Sequence, residues 1–198
     1  MRRLFTALVL ILMISGCSST SKTESHKQPP NNSSDTTAIL KYIFTVTHGI
    51  EEGFAKSLEQ GSYTPDEYML MQQAFSNLDL NRLATLLSPT LDKSMNTADV
   101  KQFMIFIKST AGKNLLTAGE SSTSFSGTMD RVRSLPSEQQ SKINEFFHAS
   151  YTKNTLTAMG APEAVRIVYA FGVESMCNYA MRNNFELYIS IIEKGKCQ

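Results

Sequence analysis

Few side chains in this sequence belong to the types that usually carry chemistry. The chain has three cysteines and three histidines, namely Cys17, Cys177 and Cys197, and His26, His48 and His148. It has no Gly-x-Ser-x-Gly motif, no glycine-rich phosphate loop and no His-Glu-x-x-His motif. Neighbouring carboxylates such as Glu51 and Glu52 would point to different faces of a helix. We therefore predict no catalytic residue, no metal site and no cofactor, and a protein that is not an enzyme.

Cys17 stands out because of the residues that precede it. Arg2 and Arg3 are followed by an uncharged, mainly apolar run over residues 4–14. The run is shorter than the roughly 20 residues of a membrane-spanning helix, and a basic start with a short apolar core is typical of a signal peptide. It ends in Ile14-Ser15-Gly16-Cys17, which resembles the lipobox of bacterial lipoproteins. The alternative is an ordinary signal peptide with an incidental cysteine.

The resemblance to lipoproteins implies a membrane anchor. In that family the cysteine thiol receives a diacylglyceryl group, a peptidase cuts before the cysteine, and the new amine is acylated. Residues 1–16 would then be removed, with Cys17 as the site of lipid attachment. Each buried methylene contributes about 0.8 kcal/mol, so several acyl chains hold a protein firmly. Ser18, rather than aspartate, follows the cysteine, which by resemblance to enterobacterial sorting favours the periplasmic face of the outer membrane.

The other two cysteines, Cys177 and Cys197, lie near the end of the chain. An exported protein enters an oxidising compartment, where an even number of cysteines predicts disulfide pairing. A bridge between them would close a loop of about 20 residues, contribute roughly 3 kcal/mol and hold the C-terminal tail against the core. The alternative is a pair of buried free thiols.

The composition argues against nucleic acid as a partner. Without Arg2 and Arg3 the mature chain has 17 basic and 18 acidic residues, so it lacks the basic surface that binds phosphates. Residues 17–36 are mostly Ser, Thr, Asn, Lys and Pro, with too few apolar side chains to form a core. We predict that this lipidated segment is a disordered tether and that residues 37–198 form one periplasmic domain.

The spacing of apolar residues predicts an all-α domain of six or seven helices. A first helix is expected over residues 36–60. Thr64-Pro65-Asp66-Glu67 is the sharpest start signal, since it combines a capping box with proline at the first helical position. We expect a kink or break near residues 77–81 in the helix that this motif begins, and we expect Pro89 to end that helix.

The second half of the domain is predicted from similar signals. Thr97 is expected to cap one helix, and Ser137 with Gln140 is expected to form a second capping box. The helix over residues 162–182 is apolar on nearly every side, so we predict that it lies at the centre of the bundle. A short last helix is expected over residues 185–193.

Part of the sequence repeats. Residues 94–118 align without gaps with residues 134–158 at an offset of 40, and the alignment pairs Phe106 with Phe146. Both copies contain Lys-Asn-x-Leu-Thr-Ala. Repeats of about this length are typical of helical hairpins, and we interpret the two copies as a duplicated helical element. Coincidence between two amphipathic helices is the alternative.

The first copy also resembles a family of exported bacterial helical domains of unknown function. The resemblance lies in Phe106-x-x-Ser109-x-Ala111-Gly112-Lys113, since that family has an aromatic residue, then Ser, then Ala-Gly-Lys or Pro-Gly-Lys. Ile107 stands where the family often has Tyr, and the second copy has Thr152 in place of the glycine. The resemblance implies an all-helical fold and no particular activity.

These observations favour a non-enzymatic envelope module that is anchored to the membrane through Cys17 and binds an envelope protein or the cell wall. The alternative is a carrier or scavenger of an apolar or peptide ligand in a cleft between helices. An apolar cavity with charged groups at its rim would favour the carrier, and Arg166 and Glu174 are candidates for such groups. A filled core with an exposed apolar patch would favour the interaction module.

Overall fold

A computed structural model describes residues 33–193, 195 and 197. Within these residues the chain forms eleven α-helices and no β-strand. The helices are α1 (Ser33–Thr47), α2 (Gly49–Glu59), α3 (Pro65–Phe75), α4 (Leu80–Ser94), α5 (Thr97–Lys108), α6 (Thr110–Glu120), α7 (Phe125–Val132), α8 (Ser137–His148), α9 (Ser150–Met159), α10 (Pro162–Asn183) and α11 (Phe185–Glu193). The all-α class is confirmed, whereas the predicted number of six or seven helices is wrong.

The number is higher for three reasons: single residues interrupt long apolar patterns, residues 76–79 separate α3 from α4, and α7 was not predicted. His48 has a left-handed backbone conformation (φ 50°) and separates α1 from α2. Ser109 and Ala149 have extended backbone and separate α5 from α6 and α8 from α9. The apolar pattern continues across each break because both helices turn an apolar face to the same core, so hydrophobic spacing alone does not reveal the break.

Pro89 does not end its helix, contrary to the prediction. It lies inside α4, which continues to Ser94. A proline has no N–H to donate to the carbonyl four residues earlier, which here belongs to Thr85. The Ser88 hydroxyl lies 3.4 Å from that oxygen and donates to it instead. The neighbouring serine therefore partly satisfies the acceptor that the proline leaves unpaired.

The most deeply buried helix is α1, which packs against α4, α5, α6 and α7. Its buried apolar side chains are Ile39, Leu40, Tyr42, Ile43, Phe44 and Val46. Helix α10 buries one face, on which Val168 and Phe171 lie, and leaves Tyr169 half exposed. The prediction that residues 162–182 form the central helix is therefore wrong.

The predicted capping signals have mixed outcomes. At α3 the Thr64 hydroxyl accepts from the Glu67 N–H at 3.3 Å, and the Glu67 carboxylate accepts from the Thr64 N–H at 3.0 Å, so this capping box is confirmed. Asn96, rather than Thr97, is the N-cap of α5. Ser137 is the first residue of α8 and forms no side-chain cap. The Gln140 amide instead donates to the carbonyls of residues 133 and 135.

The repeated segments form two helical hairpins, α5–α6 and α8–α9. The breaks at Ser109 and Ala149 occupy equivalent positions of the two copies. The first helix of each copy packs against the second helix of the other, α5 against α9 and α8 against α6. This reciprocal pattern is that of a twofold arrangement and supports a duplicated element over coincidence.

The apolar interior has two parts. The larger cluster surrounds α1 and includes residues of α4 to α10. The smaller one lies between α2, α3, α10 and α11, and its buried members are Leu58, Leu70, Met71, Ala74, Met176, Ala180, Ile191 and Cys197. Helix α10 contributes to both clusters, which explains its apolar sequence without placing it at the centre.

Candidate interaction surface

Helix α11 carries apolar side chains on two faces. Its inner face places Ile191, 2% exposed, in the smaller cluster, with Leu187 and Tyr188 packed beside it. On the outer side Phe185 is 62% exposed, and Ile189 and Ile192 are each 39% exposed. Residues four and seven positions apart share a helix face. The outer side chains therefore form a continuous apolar stripe, called the α11 stripe below.

The start of α11 is fixed by hydrogen bonds at its junction with α10. The Asn184 N–H donates to the Ala180 carbonyl at 2.8 Å, which closes α10. The Asn184 side-chain oxygen accepts from the Leu187 N–H at 3.1 Å, which is the bond that an N-cap residue forms. One asparagine thus ends one helix and begins the next.

A disulfide joins the chain beyond α11 to α10. Cys177 of α10 is bonded to Cys197, with their Cα atoms 5.8 Å apart, so the predicted bridge is present. Cys197 is buried in the smaller cluster. Since the bridge and the Asn184 junction lie on either side of α11 in the chain, the helix is held in position at both ends.

One edge of the α11 stripe is acidic. Successive helix residues are about 100° apart, which places Glu186 and Glu193 on the same side of the stripe. Both are exposed. The ion pairs among the described residues are Arg82–Glu174, Arg133–Asp130 and Lys142–Glu138, so neither α11 carboxylate takes part in one there.

A second surface feature is a polar depression of about 520 Å³ beside α7. It is lined by Ser121, Ser122, Thr123, Ser124, Gly127, Asp130, Arg131 and Ser134. The N–H of Phe125, which begins α7, already donates to the Glu52 carboxylate at 2.8 Å. The hydroxyl-rich lining does not match the apolar cleft that a carrier requires.

Arg166 and Glu174, the candidates for charged groups at a pocket rim, do not line the depression beside α7. Glu174 accepts two hydrogen bonds from Arg82, at 2.7 and 2.8 Å, and the guanidinium lies 5.7 Å from the centre of the Phe171 ring. This pair links α4 to α10 at the surface. Arg166 is exposed to solvent. The structure therefore does not bring Arg166 and Glu174 together around a pocket.

The two histidines within the described residues have structural surroundings. His48 is buried, and its Nε2 lies 3.2 Å from the Gly119 carbonyl. His148 is exposed, with Nδ1 2.8 Å from the Asn144 carbonyl. In this part of the chain no group of three or more His, Cys, Asp or Glu side chains is arranged to hold a metal ion. His26 and Cys17 lie outside the described residues.

Sequence reasoning located α11 but missed its exposed stripe. Six of its nine residues are aromatic or aliphatic, namely Phe185, Leu187, Tyr188, Ile189, Ile191 and Ile192. That density predicts a helix covered on all sides. The structure covers only one side, and this contrast between composition and exposure is the signal that identifies the surface.

Comparison with known proteins assigns no family. No family model, curated protein or solved structure matches the chain. None of the helices in the described part is long and apolar enough to cross a bilayer.

Proposed function

We propose that this chain is a lipoprotein of the bacterial outer membrane that acts as a non-enzymatic interaction module. Lipidation at Cys17 anchors it. The segment between Cys17 and α1, which begins at Ser33 rather than after residue 36 as predicted, presents the domain to the periplasm. The domain binds another envelope protein through the α11 stripe. The observation that carries this proposal is the exposure of Phe185, Ile189 and Ile192 on a helix whose two ends are both fixed.

The stripe favours binding over a purely structural explanation. A folded domain ordinarily turns the apolar residues of a short helix inward, because complete burial of a large apolar side chain contributes about 1.5–3 kcal/mol and partial exposure forgoes part of it. The largest exposed apolar patches of a folded domain are often its interaction sites. The inner face of α11 is already packed, so rotation of the helix would only exchange one apolar face for the other.

The packing of the domain favours a protein partner over a small ligand. Side chains from α4 to α10 fill the space around α1, and the depression beside α7 has a polar lining. A small apolar ligand requires a concave site that covers most of its surface. The α11 stripe is convex, as one side of a helix must be, and a convex apolar face is best covered by a complementary protein surface.

Crosslinking in intact cells tests the proposal. A photo-crosslinking amino acid at Phe185 or Ile189 should yield a defined product with another envelope protein. The matched control position is Ile105 of α5, which is 54% exposed and has polar residues three and four positions away on its helix. The product should weaken strongly when Ile192→Asp is combined with the probe at Phe185. Equal products from Ile105 and Ile189, or none from α11, would contradict the proposal.

The anchor has its own test. Cells that express the chain should incorporate radiolabelled palmitate into it, and Cys17→Ser should abolish the label and release the chain from the membrane fraction. Cys177→Ser serves as the control, since that thiol is bonded to Cys197 and is unavailable to lipid. Labelling that persists in Cys17→Ser would show that the lipoprotein assignment is wrong.

A further inference from the structure

We infer that the partner of the α11 stripe is a short amphipathic helix with basic residues along one edge, an inference that rests on the proposed function. Phe185, Ile189 and Ile192 present three anchors at positions i, i+4 and i+7. An amphipathic helix places its own apolar residues at the same spacing. Two such helices can therefore pack along their length and cover both stripes.

The small exposed area of the stripe limits how large a partner surface it can bind. A large apolar side chain buries about 200 Å², so the exposed parts of these three residues amount to roughly 300 Å². A stable interface between two folded proteins buries about 800 Å² on each side. The stripe is thus too small to hold a second copy of the domain by itself, but its length suits two or three turns of a bound helix.

The acidic edge defines the charge of the partner. Glu186 and Glu193 are two helical turns apart on one side of the stripe, and both side chains are exposed. A bound helix with Lys or Arg seven residues apart would place a cation opposite each carboxylate. Such pairs select the correct partner and orient it more than they add affinity.

The same edge disfavours two other occupants. In an antiparallel twofold pairing of two α11 helices, Glu186 of one copy would approach Glu193 of the other, and like charges repel. An anionic bilayer surface attracts basic segments, and the two carboxylates of this edge offer it no cation. The arrangement of charge therefore favours a separate, basic polypeptide.

A binding assay with designed peptides tests this inference. The protein is the full mature chain with Cys17→Ser, and the probes are two labelled helical peptides with the same leucine stripe, one with Lys and one with Glu along an edge. Fluorescence anisotropy at low salt should show roughly ten-fold tighter binding of the Lys peptide. The preference should fall as salt rises, because the charges are exposed.

Variants assign the preference to α11. Ile189→Asp should abolish binding, whereas Ile105→Asp should not change it. Glu186→Lys combined with Glu193→Lys should reverse the preference between the two peptides. The same exchange at Glu145 and Glu163, which are exposed on α8 and α10, should leave it intact. All of these side chains are at the surface, and circular dichroism checks that each variant is folded.

Several results would overturn the inference. One is equal affinity for the two peptides, and another is peptide binding that survives Ile189→Asp. The others are self-association of the protein, or its binding to anionic phospholipid vesicles, if Ile189→Asp abolishes that association or binding. The docking surface and its charge selectivity can fail separately. Crosslinking at Ile189 without a preference for the Lys peptide leaves the docking surface in place and refutes its charge selectivity. Failure of crosslinking at Ile189 refutes the docking surface itself.

Discussion

Phe106 and Phe146 stack face to face, with their ring centres 3.9 Å apart and their planes within 6° of parallel. They occupy equivalent positions of the two repeated segments, at the offset of 40. Since α5 packs against α9 and α8 packs against α6, equivalent residues should meet where an approximate twofold axis crosses the interface. The stacked rings occupy that place, and Tyr42 of α1 lies beside the stack, with its ring centre 6.3 Å and 6.2 Å from theirs and its plane nearly perpendicular to both.

The stacked pair should be a major source of stability. Phe146→Ala should lower the free energy of unfolding by about 3–5 kcal/mol, because Phe146 is buried and contacts aromatic rings of both hairpins. Phe125→Ala is the control, since Phe125 is 37% exposed and should cost less than half as much. Urea denaturation measures both variants.

A double-mutant cycle then isolates the contact between the rings. The losses in Phe106→Ala and Phe146→Ala should not add, and the coupling free energy should be about 1 kcal/mol. Strict additivity of the two losses would mean that each ring acts through other neighbours.

Gly119 should be required for the close approach of α6 to α1. A Cβ atom at this position would lie 2.6 Å from the Thr45 carbonyl oxygen and 2.9 Å from the Cα atom of Val46. Gly119→Ala should therefore destabilise the domain by about 1–3 kcal/mol, although alanine is the better helix former. The clash with backbone cannot be relieved by a side-chain rotation.

Gly127→Ala is the matched control for Gly119→Ala. Gly127 is also inside a helix, but the nearest atom to its added Cβ would be the Ser124 hydroxyl oxygen at 3.3 Å. That side chain caps α7 and needs to move by only a few tenths of an ångström. This variant should change the midpoint of thermal unfolding little or raise it slightly. Equal losses in both variants would show that the distance between α1 and α6 is not the cause.

Sequence reasoning predicted the helical class, the α3 capping box, the bounds of α11 and the disulfide. These features depend on local signals, such as Thr64 with Glu67, or on the pairing of two cysteines. It failed where a feature depends on tertiary packing. The joint at His48, whose Nε2 contacts the Gly119 carbonyl of a distant helix, has no local signal, and neither does the exposure of the α11 stripe.

The two copies differ in the residue that precedes their first helix, and only one of the two residues forms a side-chain cap. Asn96 caps α5 by accepting from the Asp99 N–H at 2.7 Å, whereas the equivalent residue in the second copy is Pro136. Asn96→Ala should cost about 1 kcal/mol. Ser137→Ala should change stability by less than about 0.5 kcal/mol, because the Ser137 side chain forms no cap. Thermal unfolding of both variants measures the two losses. A larger loss in Ser137→Ala than in Asn96→Ala would contradict the assignment of Asn96 as a capping residue and Ser137 as a non-capping one.

Tyr42 should make the domain sensitive to alkaline pH. Burial raises the pKa of Tyr42 far above its usual range, and the nearby Tyr151 adds to the shift. The neutral hydroxyl donates to the Gly112 carbonyl at 2.8 Å. Above about pH 10 the unfolded chain loses this proton and the folded chain keeps it. The contribution to stability is thus complete below pH 10 and declines as the pH rises further.

Tyr42→Phe separates the hydrogen bond from the titration. It should cost about 1 kcal/mol at neutral pH and make the decline above pH 10 less steep. Some decline should remain, because burial also raises the pKa values of Tyr63 and Tyr151. Urea denaturation at pH 7 to pH 11 measures the effect. A decline of the same slope in Tyr42→Phe would mean that Tyr42 does not contribute to it.

The disulfide should stabilise α11 more than the rest of the domain. Replacement of both Cys177 and Cys197 by serine should lower the free energy of unfolding by about 3 kcal/mol, since the bridge restricts a loop of about 20 residues in the unfolded chain. Because Cys197 packs in the smaller cluster, the loss should be largest near α11, while the cluster around α1 contains neither cysteine.

Hydrogen exchange of the reduced or double-serine protein should therefore speed up first in α11 and the second half of α10. Uniform acceleration over α1 to α11 would show that the two clusters unfold as one unit. If α11 opens alone, binding at the α11 stripe should be lost under reducing conditions that leave the larger cluster folded.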